Sequence, residues 1–212
     1  MEDMQDTVIV AGGTCDLTKY EDILGKAYLI GADRGALYLA DLGYRVDLSV
    51  GDFDSVSKAE YKKICNASKE VEKLYPEKDD TDLEHAIKRA IDTAPGTIHI
   101  IGATGTRLDQ TFCAINLLMM LHKGGREAYI HDEHNRIRLI EGKAVIKRDG
   151  YRYVSLIPCD DTVTDVSLSG FKYSGEHITL DKHTSLGISN EIEGDLAQIS
   201  CGGCLFIFES ND

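Results

Sequence analysis

Acidic residues gather where the chain pattern places the ends of strands. Asp33 stands in Gly31-Ala32-Asp33-Arg34-Gly35, and Asp52 and Asp54 stand in Gly51-Asp52-Phe53-Asp54-Ser55. Lys78-Asp79-Asp80-Thr81-Asp82 supplies three more, and Asp109 closes the run from Gly102 to Asp109. In an open parallel sheet, ligands bind beyond the carboxyl ends of the strands, so these exits are the positions to read for chemistry. Carboxylates crowded on one rim repel one another and raise each other's pKa unless a cation stabilises the ionised forms. A hard divalent cation is therefore expected, and magnesium fits, because it is held by one or two carboxylates together with substrate phosphates. Glycines in the same exits, including Gly12-Gly13, let backbone N–H groups approach an anion, and helix N-termini beyond them favour it further. The chemistry predicted is the handling of a metal-bound polyphosphate.

Each piece also has a plainer reading. Thr81-Asp82-Leu83-Glu84 and Thr106-Arg107-Leu108-Asp109 both fit a capping box, which alone would account for Thr81, Glu84, Thr106 and Asp109. Capping does not account for Asp52 with Asp54, two acids spaced so that alternate side chains point the same way. Gly12-Gly13 taken alone is as much a turn as a phosphate cradle, and Arg34 and Arg107 read equally as surface charges. There is no GxxxxGK[ST] phosphate loop and no GxGxxG fingerprint, and no Ser sits in GxSxG.

These residues need elements to position them. Short runs rich in Val and Ile predict strands over 7–11, 27–30, 48–50, 71–74, 97–101 and 128–131, with helices between them. The helix over 82–93 places Leu83, Ala86, Ile87, Ala90 and Ile91 on one face. A second, over 108–122, carries a stripe of Leu108, Phe112, Ile115 and Met119, expected to face the core. From about Asn135 the helical period disappears, and strand-like pieces alternate with turn signals such as Arg148-Asp149-Gly150, Cys159-Asp160-Asp161 and Cys201-Gly202-Gly203. The fold expected is an α/β N-terminal domain with a mainly parallel, Rossmann-like sheet over 1–134, followed by an all-β sandwich C-terminal domain over 135–212.

Composition bounds the partners. The 212 residues include 23 basic and 36 acidic side chains, and a formal charge of −13 supplies no basic face for nucleic acid. The longest apolar stretches, 115–121 and 205–208, are too short to cross a bilayer core of roughly 30 Å, so no membrane span is expected. Glu2, Asp3 and Asp6 stand where a secretory signal would be positive, and the expected address is cytoplasmic. Six scattered cysteines predict free thiols, and Cys201-Gly202-Gly203-Cys204, with no second half to complete a zinc site, predicts a turn flanked by two buried cysteines.

Taken in order, Ala32-Asp33-Arg34-Gly35, Gly51-Asp52-Phe53-Asp54-Ser55, Lys78-Asp79-Asp80-Thr81-Asp82, Gly105-Thr106-Arg107-Leu108-Asp109 and Ser189-Asn190-Glu191 resemble the motifs of the thiamine pyrophosphokinase family. The resemblance spans nearly the whole chain. It implies magnesium-dependent transfer of pyrophosphate from ATP to the hydroxyl of thiamine, giving thiamine diphosphate and AMP. It also implies a homodimer whose active sites lie where the α/β domain of one subunit meets the β domain of its partner. Carried over residue by residue, Asp52, Asp54 and Asp82 resemble the magnesium ligands, with Asp79 beside them in the catalytic set. Asp33, Arg34, Gly35, Thr104, Gly105 and Arg107 resemble the ATP-binding rim. Lys78, Asp109, Ser189 and Asn190 resemble positions that approach thiamine, the last two from the second subunit. Asp82 or Asp79 is the expected acceptor of the alcohol proton.

The chain departs from the pattern at Arg34, where many members have a second glycine, and at Gln110, where a histidine is common. It has no Trp, so the ring that stacks on thiamine in some relatives is absent or replaced. Other readings stay open at this stage. They are a pyrophosphokinase acting on another alcohol such as a hydroxymethylpterin, a non-catalytic Mg-nucleotide-binding protein, and a metal-dependent phosphohydrolase.

Overall fold

Strand β1, Thr7–Val10, is buried at all four positions, which is why it reads as an unbroken Thr-Val-Ile-Val run rather than an alternation. It is the centre of a parallel sheet formed with β2 (Tyr28–Ala32), β3 (Val46–Gly51), β4 (Ser68–Lys73), β5 (Ile98–Ile101) and β6 (Ala128–His131). This description comes from a computed structural model that covers residues 5–75, 79–93 and 96–212. The chain divides into two compact units with the boundary between Glu133 and His134.

The strands of the first unit lie in the order β6-β5-β1-β2-β3-β4, each pair parallel. The chain builds outward from β1 to β4 and then crosses back to place β5 on the other side of β1. That reversal opens a crevice beyond the ends of β1 and β5, the place where doubly wound sheets bind ligands. Short helix α1 (Glu21–Leu24) precedes β2, and α2 (Arg34–Asp41), α3 (Lys58–Ala67), α4 (Asp82–Thr93) and α5 (Leu108–Lys123) complete the crossovers. A full capping box starts α3: Ser57 accepts from the Glu60 amide, and the Glu60 carboxylate accepts from the Ser57 amide.

Two expectations about this unit change. Strand β4 begins at Ser68, three residues earlier than predicted, because Ser-Lys-Glu-Val-Glu-Lys is polar. A strand at the edge of its sheet carries charges that discourage further pairing, so its sequence loses the apolar signal. On α5 the core-facing residues are Ala114, Leu117, Leu118 and Leu121, whereas Leu108 and Phe112 are 78% and 66% exposed. The helix is apolar on more than one face, so periodicity alone chose the wrong stripe. On α4 the expected face is the buried one: Ala86, Ile87 and Ala90 are fully enclosed, with Leu83 and Ile91 half-buried.

The second unit is all-β: β7 (Asn135–Lys147), β8 (Tyr153–Pro158), β9 (Thr162–Ser169), β10 (Gly175–Asp181) and β11 (Leu196–Ser210). Strand β11 is antiparallel to β7 along its length, to β9 over Gln198–Ser200, and to β8 over Leu205–Ser210. It changes neighbours at an irregularity between Ser200 and Cys204. Gly202-Gly203 is therefore a bulge inside one long strand and not the predicted turn. Bulges of this kind carry a strand from one layer of a sandwich to the other. One core joins all five strands through residues such as Ile140, Leu156, Val166, Leu180 and Ile207. All six cysteines are free thiols, and Cys201 and Cys204 are half-buried. Among the described residues no helix is long and apolar enough to cross a membrane.

Candidate active site

The exits of the parallel strands are tied to one another by the backbone. The Gly13 amide donates to the Gly102 carbonyl at 2.8 Å, joining the ends of β1 and β5, and the Asp33 amide donates to Val50 at 2.8 Å, joining β2 to β3. Gly35 fixes the start of α2. A Cβ at this position would lie 1.9 Å from the Val10 carbonyl oxygen, so only glycine lets the helix begin directly against the end of β1. Gly35 is buried by that contact, and the exposed Arg34 beside it lays its Cβ 3.4 Å from the position a Gly12 Cβ would take.

The loop after β3 is organised by its one apolar residue. Phe53 is 6% exposed and packs with Ala36, Leu37 and Ile64, its ring centroid 5.2 Å from that of Tyr61. It adopts a left-handed backbone, φ 57°, and with its ring turned into the core the flanking acids are left at the surface. Asp52 then accepts from the Asp54 amide at 3.0 Å, which locks the turn. Carboxylate oxygens of Asp33, Asp52 and Asp54 all lie within 4.8 Å of one another. Opposite oxygens of an octahedral magnesium stand about 4.2 Å apart, twice its bond length of roughly 2.1 Å, so the spacing suits that ion.

The surroundings of Asp33 also suit such an ion. Its Oδ2 accepts from the Ser55 hydroxyl at 2.7 Å, while its Oδ1 is buried without a hydrogen-bond partner. Burial pushes its carboxyl above the ordinary range, and the nearby Asp82 and Asp52 push it further against the opposing hydrogen bonds from Ser55 and the Arg34 amide. An oxygen-only donor set with an orphaned, buried acceptor fits a hard cation.

Asp82 opens α4 and acts on Asp33 through its charge, although the three-carboxylate cluster does not include it. Thr81 accepts from the Glu84 amide at 3.1 Å, the helix cap expected from the sequence. Asp79 is exposed, and Asp80 pairs with Lys88 at 2.7 Å. Lys78 lies outside the described residues.

At the β5 exit Thr104 is half-buried and Gly105 exposed, and the expected cap by Thr106 is replaced. Helix α5 is entered at Arg107 without a side-chain cap, and the Gly105 amide donates to Thr111 Oγ1 at 3.3 Å instead. Asp109 is drawn away to Arg107, which grips it through Nε at 3.2 Å and Nη2 at 2.5 Å. That pairing holds the Asp109 carboxyl below its usual range.

In the second unit Ser189 is exposed with a left-handed backbone, φ 58°, and its amide donates to Ser155 Oγ at 3.0 Å. Asn190 is 7% exposed. Its Oδ1 accepts from the Tyr173 and Glu191 amides, and its Nδ2 donates to the Tyr173 carbonyl at 2.9 Å. Three of the amide's four hydrogen bonds are thus spent inside the loop, so Asn190 shapes the surface more than it offers a contact. What it fixes is Tyr173, 63% exposed, with Lys172 Nζ 5.7 Å from its ring centroid. Nothing in the sequence marks Tyr173, because it meets the Ser189-Asn190-Glu191 segment only through folded contacts, those of Asn190 and the neighbouring Lys172–Glu191 bonds.

Comparison with known proteins gives the same division of the chain. The model described as "Thiamin pyrophosphokinase, catalytic domain" matches residues 20–130, and that described as "Thiamin pyrophosphokinase, vitamin B1 binding domain" matches residues 143–203. A curated thiamine pyrophosphokinase of Bacillus subtilis (strain 168) is 35% identical over 218 residues, covering 99% of this chain and 100% of that protein. A crystal structure of a thiamine pyrophosphokinase from Bacillus subtilis superposes with a TM-score of 0.90 at 32% identity, covering 98% of this chain and 100% of the other. One from Geobacillus thermodenitrificans gives 0.86 at 32% identity, with 98% of each chain covered. With whole-length identity above 30%, both domain models in order, and the acid cluster inside the first of them, the chain belongs to the thiamine pyrophosphokinase family.

Proposed function

We propose that the protein is a magnesium-dependent thiamine pyrophosphokinase, moving the pyrophosphoryl group of ATP onto the hydroxyl of thiamine to give thiamine diphosphate and AMP. The observation that carries this reading is the carboxylate cluster of Asp33, Asp52 and Asp54 at the strand exits of a chain matching both family domains. Phosphoryl transfer is chiefly positioning and neutralisation of charge, and a rim of acids around a divalent cation with nearby guanidinium groups supplies both.

In this reading Asp52 and Asp54 hold magnesium, with Asp82 and Asp79 alongside. Magnesium, when bound, neutralises the oxygens of the transferred group. Arg34, exposed at the head of α2, meets the phosphates directly, whereas Arg107 must first exchange its Asp109 partner for them. Asp33, Gly35, Thr104 and Gly105 complete the ATP rim. Asp82 or Asp79 takes the alcohol proton as the oxygen attacks the β-phosphorus and AMP leaves. Tyr173 takes the place of the missing tryptophan, offering its ring to the thiamine cation beside Ser189, with Asn190 holding both in position. Lys78 and Asp109 approach thiamine in the same reading. A homodimer in the cytoplasm, with one subunit's catalytic domain served by its partner's β domain, completes the proposal.

The test is to incubate the protein with ATP, magnesium and thiamine and to follow both products. AMP and thiamine diphosphate in equal amounts are expected. AMP released without thiamine would indicate a phosphohydrolase, AMP released only with another alcohol would move the substrate, and no AMP would sink the enzyme reading. Sedimentation of the active species at monomer mass would contradict the dimer.

A further inference from the structure

We propose that Cys159 and Cys204 form a modification site, a cross-strand pair that a low-molecular-weight disulfide such as oxidised glutathione converts into an intramolecular disulfide. The spacing of Cys201 and Cys204 would favour those two as partners, but the fold matches Cys204 with a different thiol.

Strand β8 runs antiparallel to β11 with Pro158 opposite Leu205, so one step further on Cys159 stands opposite Cys204. The Cys159 amide donates to the Cys204 carbonyl at 3.1 Å, the bond expected between directly opposed residues of a hydrogen-bonded pair. Cα atoms in such a pair are about 5.5 Å apart, inside the roughly 4.4–6.8 Å spanned by disulfides. Leu205 on β11 and Leu156 on β8 both face the sandwich core, so by alternation Cys204 and Cys159 face the other way together. Burial pushes the Cys159 thiol up to about 12, and the next largest cause is Cys204 itself, which places the two sulfurs within reach of each other. Both cysteines are half-buried, which leaves them open to a small reagent.

Cys201 is held elsewhere. It packs against the core, and its Sγ donates to the Gly203 carbonyl at 3.0 Å and to the Gly142 carbonyl at 3.5 Å. The irregularity between Ser200 and Cys204 breaks the alternation that would otherwise relate the two.

Oxidation proceeds by thiol–disulfide exchange. The Cys204 thiolate attacks one sulfur of oxidised glutathione, forming a mixed disulfide and expelling a glutathione thiolate. Cys159, protonated at neutral pH, reacts second. It gives its proton to the expelled thiolate, and its sulfur attacks that of Cys204, closing the bridge and expelling the second glutathione. The protein loses two electrons and two protons, and one oxidised glutathione becomes two reduced ones.

The experiment treats the full-length protein with oxidised glutathione, blocks remaining thiols, digests it with trypsin without reductant and maps the peptides by mass spectrometry. Wild type, Cys201→Ser and Cys159→Ser are compared. Cleavage after Arg152, Lys172 and Lys182 leaves Cys159 in peptide 153–172, with Cys201 and Cys204 together in 183–212. Wild type and Cys201→Ser are both expected to yield 153–172 linked to 183–212. Oxidised wild type should also melt about 5 °C or more above Cys159→Ser treated alike, because the bridge closes a long loop in the unfolded chain. Peptide 183–212 closed on itself, loss of the linked peptides in Cys201→Ser, or glutathione retained with no bridge would each overturn the pairing. An oxidised wild type that melts below its reduced form would show that the strands are forced together, against the geometry argued from their register.

Discussion

Asp54 is the most exposed member of the carboxylate cluster, so its charge can be removed with little effect on packing. Asp54→Asn should lower kcat by about a hundredfold or more, the penalty typical of misplaced reacting groups. Its metal-free melting temperature should stay within about 2 °C of wild type, as for most surface substitutions. Wild-type turnover in the thiamine diphosphate assay would remove Asp54 from the cation site. Asn190 makes the opposite case, a residue whose work is done on its neighbours. Asn190→Ala removes the three bonds that fix the Tyr173 and Glu191 backbone. The expected result is a KM for thiamine raised several-fold with kcat changed less, because ground-state contacts are lost while the phosphate chemistry is untouched. An unchanged KM would deny Tyr173 and Ser189 their place at the substrate.

Among the elements, the contact between α2 and β1 is the least tolerant. Gly35→Ala would drive a methyl group into the Val10 carbonyl, and backbone on both sides leaves no flexible side chain to give way. The loss should reach or pass the upper end of the roughly 1–3 kcal/mol seen for overpacking. Thermal unfolding is the check, and a melting temperature within a degree of wild type would show that α2 can slide. Much of this architecture was legible in advance: β1, β5 and β6 announce themselves by short runs rich in apolar residues, and the buried face of α4 follows its period. What failed has physical causes. Strand β4 is polar because it lies at an edge, α5 is apolar on more than one face, and Gly202-Gly203 carries turn chemistry inside a bulge. In the site, the Asp52-Phe53-Asp54 spacing put two acids on one loop, but the closeness of Asp33 to them depends on its φ angle and on the Ser55 bond, which no spacing encodes.

For the molecule as a whole, one contribution to acid sensitivity comes from His99, mostly buried inside the parallel sheet. His99 on β5 and His131 on β6 share a hydrogen bond of 2.9 Å, with the His99 ring stacked on Tyr129 and 3.9 Å from Asp6. Burial lowers the pKa of His99, and the charges of Asp6 and Glu127 only partly oppose it. In the unfolded chain the pKa returns to about 6.5, so the unfolded state binds more protons as pH falls below that value. The contribution of neutral His99 is therefore complete above about pH 6.5 and is lost as pH drops towards the lowered folded value. Melting temperature against pH should fall less steeply between pH 6.5 and 5 for His99→Gln than for wild type. Parallel curves would assign the acid loss to other groups.

The ring of Phe53 has a consequence that reaches past its own loop. The two acids beside it flank a ring held in an oily pocket of Ala36, Leu37 and Ile64, none of which carries a charge. A chain could keep every acidic residue of its site and still lose the spacing of the carboxylates through a methyl group missing from that pocket. Inspection of the charged residues alone would then certify as intact a protein whose working geometry had already gone.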